Sequence, residues 1–306
     1  MTSQFLVDGP LDVRQTLARY RIWGEDPANR LAGDVFRRVL RADDGLHGYE
    51  LCWDGPPDAV RLTLTVPGSR SHRILEAALA EVRKLLFLDA DLPGFYRMAK
   101  ADPALAPLIP PLYGLRPTLA PAPFEMLVGA VTAQQVNLTF AFATRSRLIR
   151  RFGEPVTIKG EVVYAFPSPK RLSHATVREL RRMQFSARKA EYIIGLARLV
   201  AQGALDFDRL ARLPNEQVIA WLTQVRGFGR WTAEWFLARA LGRGDVCPAG
   251  DLGVRKCFAR FYNRGRPVSE QAIRRRARQW GEYQNLAIHY LLAGLRLSPQ
   301  SSGGGT

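Results

Sequence analysis

Cysteine is scarce in this 306-residue chain. Only Cys52, Cys247 and Cys257 occur, and no two have CxxC spacing. That pattern argues against a disulfide framework, a zinc ribbon and an iron–sulfur cluster. The three read instead as small buried apolar residues. Long hydrophobic runs are missing too: no stretch approaches the roughly 18 apolar residues of a membrane span. The opening MTSQFLVDGP has no basic segment followed by an apolar run, so no signal peptide is expected. The third shortage is acid. Asp and Glu number 28 against 44 Lys and Arg, a net charge of +16, with a pI near 10.4. Such a surplus points to a polyanionic partner, nucleic acid or an acidic membrane surface. The arginines are scattered rather than gathered on one amphipathic face, which disfavours the membrane surface. The expectation is a soluble cytoplasmic protein whose partner is nucleic acid.

The hydrophobic fraction, 47%, suffices for a sizeable core, and the length suits two or three domains. No repeat recurs at a fixed period. Over residues 1–90, YELCWDG and VRLTLTV alternate as strands do, with DGPPDA as the turn between them. SHRILEAALAEVRKLLFL keeps helical spacing, with Ser71 at its N-cap. From about 91 to 123 the chain is proline-rich and reads as a linker or irregular crossing. Strand signals then nearly vanish. PFEMLVGAVTAQQVNLTFAFATRSRLIRRFG reads as one or two helices with Pro123 near the first helical position, and TIKGEVVYAFPS as a loop. FSARKAEYIIGLARLVAQG is a helix capped by Ser186 and closed at Gly203. The run of arginines at 274–276 reads as a solvated helix face. The fold class is therefore α+β: an N-terminal mixed α/β unit, then a larger helical one.

The most informative stretch is QVRGFGRWTAEWF, residues 224–236. NEQVIAWLTQV before it and RWTAEWFLARAL after it are short helices. Gly227 and Gly229 can both take positive φ, so the turn between them can be tight. Lacking Cβ atoms, they also let a phosphate come close. The amides that open the second helix then form an anion site, aided by the helix dipole.

LTQVRGFGRWTAEWF followed by GDVCPAGDLGVRKCF resembles the DNA glycosylase superfamily named for a helix–hairpin–helix, a Gly/Pro-rich loop and an aspartate. The matching aspartate is Asp251, twenty residues after Trp231. GLRP before PFEMLVGAVTAQQV, then FPSPKRL and FSARKAEYIIGLA, extend the resemblance to the alkylbase (3-methyladenine type II) branch over most of the chain. The resemblance implies an antiparallel-sheet α/β domain over 1–92 and a crossing segment of the helical core over 93–122. A helical subdomain over 123–241 would carry the hairpin at 215–241. A C-terminal helical subdomain over 242–300 would hold the aspartate, and 301–306 would be a flexible tail. The resemblance also implies an active-site cleft between the two helical subdomains.

Breaking the C1′–N bond of a nucleotide passes through a cation-like sugar, which a nearby carboxylate stabilises while it orients water. Asp251 is the candidate for that role, and it can also cap the helix starting near Leu252. Asp245, the rival carboxylate, reads as structural. Strand-cutting members of the superfamily carry a lysine where this chain has Trp231, and Lys256 sits past the aspartate, so a monofunctional hydrolase without lyase activity is implied. An alkylated base is already cationic and needs an aromatic pocket more than a strong acid. Trp231 and Trp235, one helical turn apart, are the first candidates for that pocket, with Phe124 and Tyr113 behind them. DNA contact is assigned to Gly227, Phe228, Gly229, Arg230 and Thr232. Gln134 and Gln135 are also included, because they occupy the helix end from which the family inserts a wedge into the duplex. No cofactor is implied beyond a sodium or potassium ion on the carbonyls of Gln224, Val225 and Phe228. The expected partner is double-stranded DNA, met by a monomer. The expected substrates are 3-methyladenine and 7-methylguanine. The alternatives are hypoxanthine, uracil or 8-oxoguanine as substrates, or a DNA-binding module without catalysis.

Overall fold

The structure, a computed structural model, describes residues 1–42 and 44–297. The tail at 301–306 lies outside them. Alternating strands near the N-terminus build one antiparallel sheet. Strands β1 (Thr2–Leu6), β2 (Asn29–Ala32), β3 (Val35–Ala42), β4 (Gly45–Asp54) and β5 (Arg61–Thr65) take the order β1-β5-β4-β3-β2. Short helices α1 (Val13–Leu17) and α2 (Arg19–Ile22) precede β2, and α3 (His72–Leu85) follows β5. Ile74, Leu75, Ala78, Val82 and Leu85 of α3 share a core with Phe36, Leu51, Leu62 and Leu64 of the sheet. Each of the larger side chains among them contributes about 1.5–3 kcal/mol. Ser71 takes the N-cap position of α3 but makes no capping bond with its side chain.

The helical part follows as α4 (Leu92–Ala99), α5 (Pro123–Ala133), α6 (Leu138–Phe152), α7 (Pro169–Ser173), α8 (Val177–Arg182) and α9 (Ala187–Ala201). It continues with α10 (Phe207–Arg212), α11 (Asn215–Leu222), α12 (Arg230–Arg239), α13 (Leu252–Tyr262), α14 (Glu270–Ala277) and α15 (Gln284–Leu297). Pro123 opens α5, where its missing N–H costs nothing. The Ser186 side chain caps α9 through the Lys189 amide. Two apolar clusters organise these helices. One gathers side chains from Phe124 to Val246, and the other joins Leu92–Leu115 to Cys247–Ala293. Trp235 of α12 packs on both.

Two expectations fail here, and one pair of alternatives is narrowed. The proline-rich segment is not a linker but a crossing packed into the helical core: it contains α4 and two 3-10 turns, and Phe95, Leu105 and Leu112 enter the second cluster. TIKGEVVYAFPS is a hairpin, β6 (Glu154–Ile158) and β7 (Glu161–Ala165), not a loop. Lys159 and Gly160 both take positive φ, as a tight two-residue hairpin turn requires. The hairpin packs Ile158, Val163 and Ala165 against Val39 of the sheet. Gly48 makes room for it, since a Cβ there would lie 2.5 Å from Ile158. The arginines at 274–276 are not a free solvated face. Arg274 pairs with Glu234 and Arg276 with Asp102, while Arg275 stays exposed. Cys247 and Cys257 are buried as expected, whereas Cys52 is half-buried.

A buried ionic network ties the sheet to the helices. Glu125 of α5 accepts from Arg38 of β3 and Arg145 of α6, each at 2.6 Å. Arg38 also reaches Glu81, and Arg145 reaches Asp26. Burial works against the charged form of Glu125, but the two guanidinium groups overcome it and hold the carboxyl at about 2.

Candidate active site

Helices α11 and α12 meet at the Val225–Gly229 turn. Gly227 has φ +92, and a Cβ there would stand 2.3 Å from the Tyr192 ring. Glycine is thus required at 227 by backbone conformation and by packing. Gly229 differs: its φ is −119, so the expected positive value is absent, and a Cβ would meet nothing within 4 Å. Gly229 is the N-cap of α12 and supplies no side-chain bond to the first amides. Those amides lie at the positive end of the helix beside open space, as an anion site requires.

Twenty residues on, Asp251 is the N-cap of α13, and its Oδ1 accepts the Val254 amide at 3.1 Å. The other oxygen accepts two indole N–H groups, from Trp231 at 2.8 Å and from Trp235 at 3.2 Å. A turn from Pro248 brings it there: the Asp251 amide donates to the Pro248 carbonyl and the Ala249 amide to that of Cys247. One carboxylate oxygen therefore caps α13 while the other is bound by the two indoles. Among the described residues no arginine or lysine is ion-paired with Asp251, so its charge is held by neutral donors. A half-buried, immobilised and uncancelled negative charge can stabilise a cation that develops beside it, with little reorganisation.

Several candidates fall elsewhere. Phe124 is 6% exposed, edge-on to Phe166 inside the first cluster, and offers no open face to a base. Tyr113 stacks on Tyr96 and donates to Asp58; that bond pushes its hydroxyl up to about 12 and assigns it to the contact with the N-terminal unit. Thr232 is 1% exposed, so its hydroxyl cannot serve a phosphate, and the buried Phe228 offers only its backbone. Arg230 is paired with Glu216 and Glu234. Gln134 donates to the Gly227 carbonyl at 2.9 Å, while Gln135 is exposed with φ +54. The Val225 carbonyl accepts the Phe228 amide, which leaves one lone pair for an ion. Asp245 accepts from Asn215, a structural bond. Lys256 is exposed on α13.

Residues 128–282 match the family described as HhH-GPD superfamily base excision DNA repair protein. The chain belongs to the HhH-GPD superfamily. It is 35% identical over 204 residues to the DNA-3-methyladenine glycosylase of Bacillus subtilis (strain 168), a match covering 67% of each protein. The structure of 3-methyladenine DNA-glycosylase from Archaeoglobus fulgidus superposes with a TM-score of 0.86 at 26% identity, over 97% of this chain and 99% of that one. The Schizosaccharomyces pombe 3-methyladenine DNA glycosylase, solved with abasic DNA, gives 0.59 at 26% identity, over 67% and 98%. In this HhH-GPD protein the hairpin, the Pro248–Gly250 loop and Asp251 converge through the indoles of α12.

Two parts of this HhH-GPD site escape sequence reasoning. His289 of α15 stands edge-on to Trp235, with ring centroids 5.7 Å apart. Burial drives its imidazole down to about 4, so it is neutral near pH 7, and its Nδ1–H donates to the Asn285 carbonyl. A lone histidine in an apolar helix carries no signal of that neighbour. Glu234 is 2% exposed; Arg230 is its local partner one turn earlier on α12, whereas Arg274 reaches it only through tertiary packing. Among the described residues no group of three or more His, Cys, Asp or Glu could hold a metal, and no helix is long and apolar enough to cross a membrane.

Proposed function

We infer that the protein is a DNA glycosylase of base excision repair that hydrolyses the N-glycosidic bond of alkylated purines, 3-methyladenine and 7-methylguanine among them. The observation that carries this reading is the Asp251 carboxylate, fixed by Trp231 and Trp235 at the far side of a hairpin open to phosphate. The similarity to 3-methyladenine glycosylases supports the substrate class.

The helix amides at Gly229 grip the backbone beside the lesion. The flipped nucleotide enters between the helical subdomains, where Trp231 and Trp235 present aromatic surface to a cationic base. As the C1′–N bond breaks, its electron pair leaves with the base nitrogen, and the sugar gains positive charge against Asp251. Water then forms the new C1′–O bond and gives up a proton, which Asp251 accepts or passes to solvent. No lysine stands at Trp231 to form an imine with the sugar, so the abasic strand stays intact. Gln135 fills the space left in the duplex, since Gln134 is tied to the hairpin. The carbonyls of Gln224, Val225 and Phe228 would hold a sodium or potassium ion, a role that fits the remaining lone pair of the Val225 carbonyl. The enzyme works as a monomer in the cytoplasm, on the nucleoid.

A panel of duplexes, each carrying one modified base, tests this. Bases released from the 3-methyladenine and 7-methylguanine duplexes, with strand breaks only after alkali, are expected. Borohydride trapping of enzyme on DNA, or release from deaminated duplexes alone, would overturn it.

A further inference from the structure

Glu234 lies on α12, one turn beyond Arg230 and one residue before Trp235. Its carboxylate is 2% exposed in a helix wedged between two apolar clusters. A charge buried there requires compensation. Two arginines supply it on the same oxygen: Arg230 Nε at 2.9 Å and Arg274 Nη1 at 2.6 Å.

Those arginines belong to different parts of the site. Arg230 is the first residue of α12, beside the open face of Gly229. Arg274 is on α14, and the Nη1 that meets Glu234 also donates to the Cys247 carbonyl at 3.4 Å. Cys247 begins the loop that ends at Asp251. A second α14 side chain lies near the same loop, since a Cβ at Gly250 would come within 3.3 Å of Glu270 Oε1. One carboxylate oxygen thus joins the phosphate-facing end of the hairpin to the loop carrying the catalytic charge. At the outer end, Arg230 divides its donors between Glu234 and the exposed Glu216.

We propose that Glu234 is a positioning residue, whose oxygen shared between Arg230 and Arg274 couples the docking of a DNA phosphate at the hairpin to the seating of the Cys247–Asp251 loop. The proposal rests on the glycosylase reading above. A phosphate arriving at Gly229 draws the Arg230 guanidinium toward itself, because a doubly charged pair of hydrogen bonds is strong. Arg274 is then the sole cation on Glu234 and is held more firmly against α12. The loop follows through Cys247, and Asp251 is pressed onto the two indoles. Glu234 touches neither DNA nor the sugar, so its contribution appears chiefly in the bond-breaking rate, with the smaller change in affinity that reciprocal coupling requires.

The test compares wild type, Glu234→Gln, Arg274→Gln and the double variant. Three quantities are read: single-turnover release of 7-methylguanine, Kd for a duplex with a stable abasic analogue, and amide exchange over 247–251 with and without that duplex. Each single variant is expected to release base about 10- to 100-fold more slowly, as a misplaced catalytic group does. Kd is expected to shift only a few-fold, less than the rate does, and the double variant to be no slower than the slower single one. DNA is expected to slow exchange over 247–251 in wild type but not in Glu234→Gln. Wild-type rates in both singles, full additivity, or DNA-induced protection retained in Glu234→Gln would each overturn the proposal. Should Glu234→Gln fail to fold, Arg274→Gln carries the same three readouts. If wild type releases no base at all, the substrate assignment fails, while exchange with the abasic duplex still decides the coupling.

Discussion

Glu125 and Asp251 are both carboxylates that the fold immobilises, and it does so by opposite means. Glu125 is gripped by two guanidinium groups that cancel its charge and hold it at about 2. Asp251 is gripped by two indoles and a backbone amide, which fix its position and cancel nothing. A carboxylate neutralised by arginine serves the joint between sheet and helices. One held by neutral donors keeps its field for a cation that forms next to it. Glu234 falls between the two: it is neutralised like Glu125, but by arginines that lead to the hairpin and to the Asp251 loop.

The comparison can be broken first at Glu125. Glu125→Gln leaves Arg38 with Glu81 and Arg145 with Asp26 but weakens the two charge-assisted bonds that join β3 to α6 through α5, and a loss of about 3 kcal/mol in denaturant unfolding is expected. Excision per folded molecule should not change, and a proportionate loss would mean that the joint also shapes the cleft. The same residue sets an acid limb. Its folded pKa lies below the usual carboxylate range, so its contribution is complete above about 4.5 and is lost as pH falls toward about 2. Thermal melts over that window should show a steeper decline in wild type than in Glu125→Gln.

A smaller effect is expected at Trp231. Trp231→Phe keeps an aromatic ring but removes the 2.8 Å bond to Asp251. A hydrogen bond to a charged group is worth about 1.5–3 kcal/mol, so single-turnover release should fall about tenfold or more. Retained affinity for a duplex carrying an uncleavable analogue of the alkylated nucleotide would assign that loss to Asp251, whereas a matching loss of affinity would make Trp231 chiefly a stacking surface. The smallest change in stability is expected at Gly229. Gly229→Ala meets no atom and no forbidden φ, so unfolding should shift by less than about 0.5 kcal/mol. Weaker, less salt-dependent DNA binding should accompany it; unchanged binding would remove the phosphate from this end of α12.

What the sequence disclosed was local chemistry. Ser186 and Pro123 mark helix starts through bonds made, or not needed, within one turn. The glycine turn and Asp251 declare themselves by residue type and spacing. What stayed hidden depends on neighbours far along the chain. The β6–β7 hairpin is short and partly polar, and its apolar side is matched by Val39 and Leu46 of a sheet more than a hundred residues earlier. Phe124 and Thr232 look available in sequence and are enclosed by tertiary packing. Two of the three arginines at 274–276 became ion-pair partners because α12 and the Asp102 loop lie across α14.

The central claim is that the uncancelled charge of Asp251 carries the reaction, and Asp251→Asn tests it most directly. Asparagine also caps helices, so the fold should survive and the melting temperature should stay near wild type. Single-turnover release of 7-methylguanine is expected to fall by about 1,000-fold or more, with Kd for the abasic duplex little changed. Release at the wild-type rate from a folded Asp251→Asn protein would contradict the account.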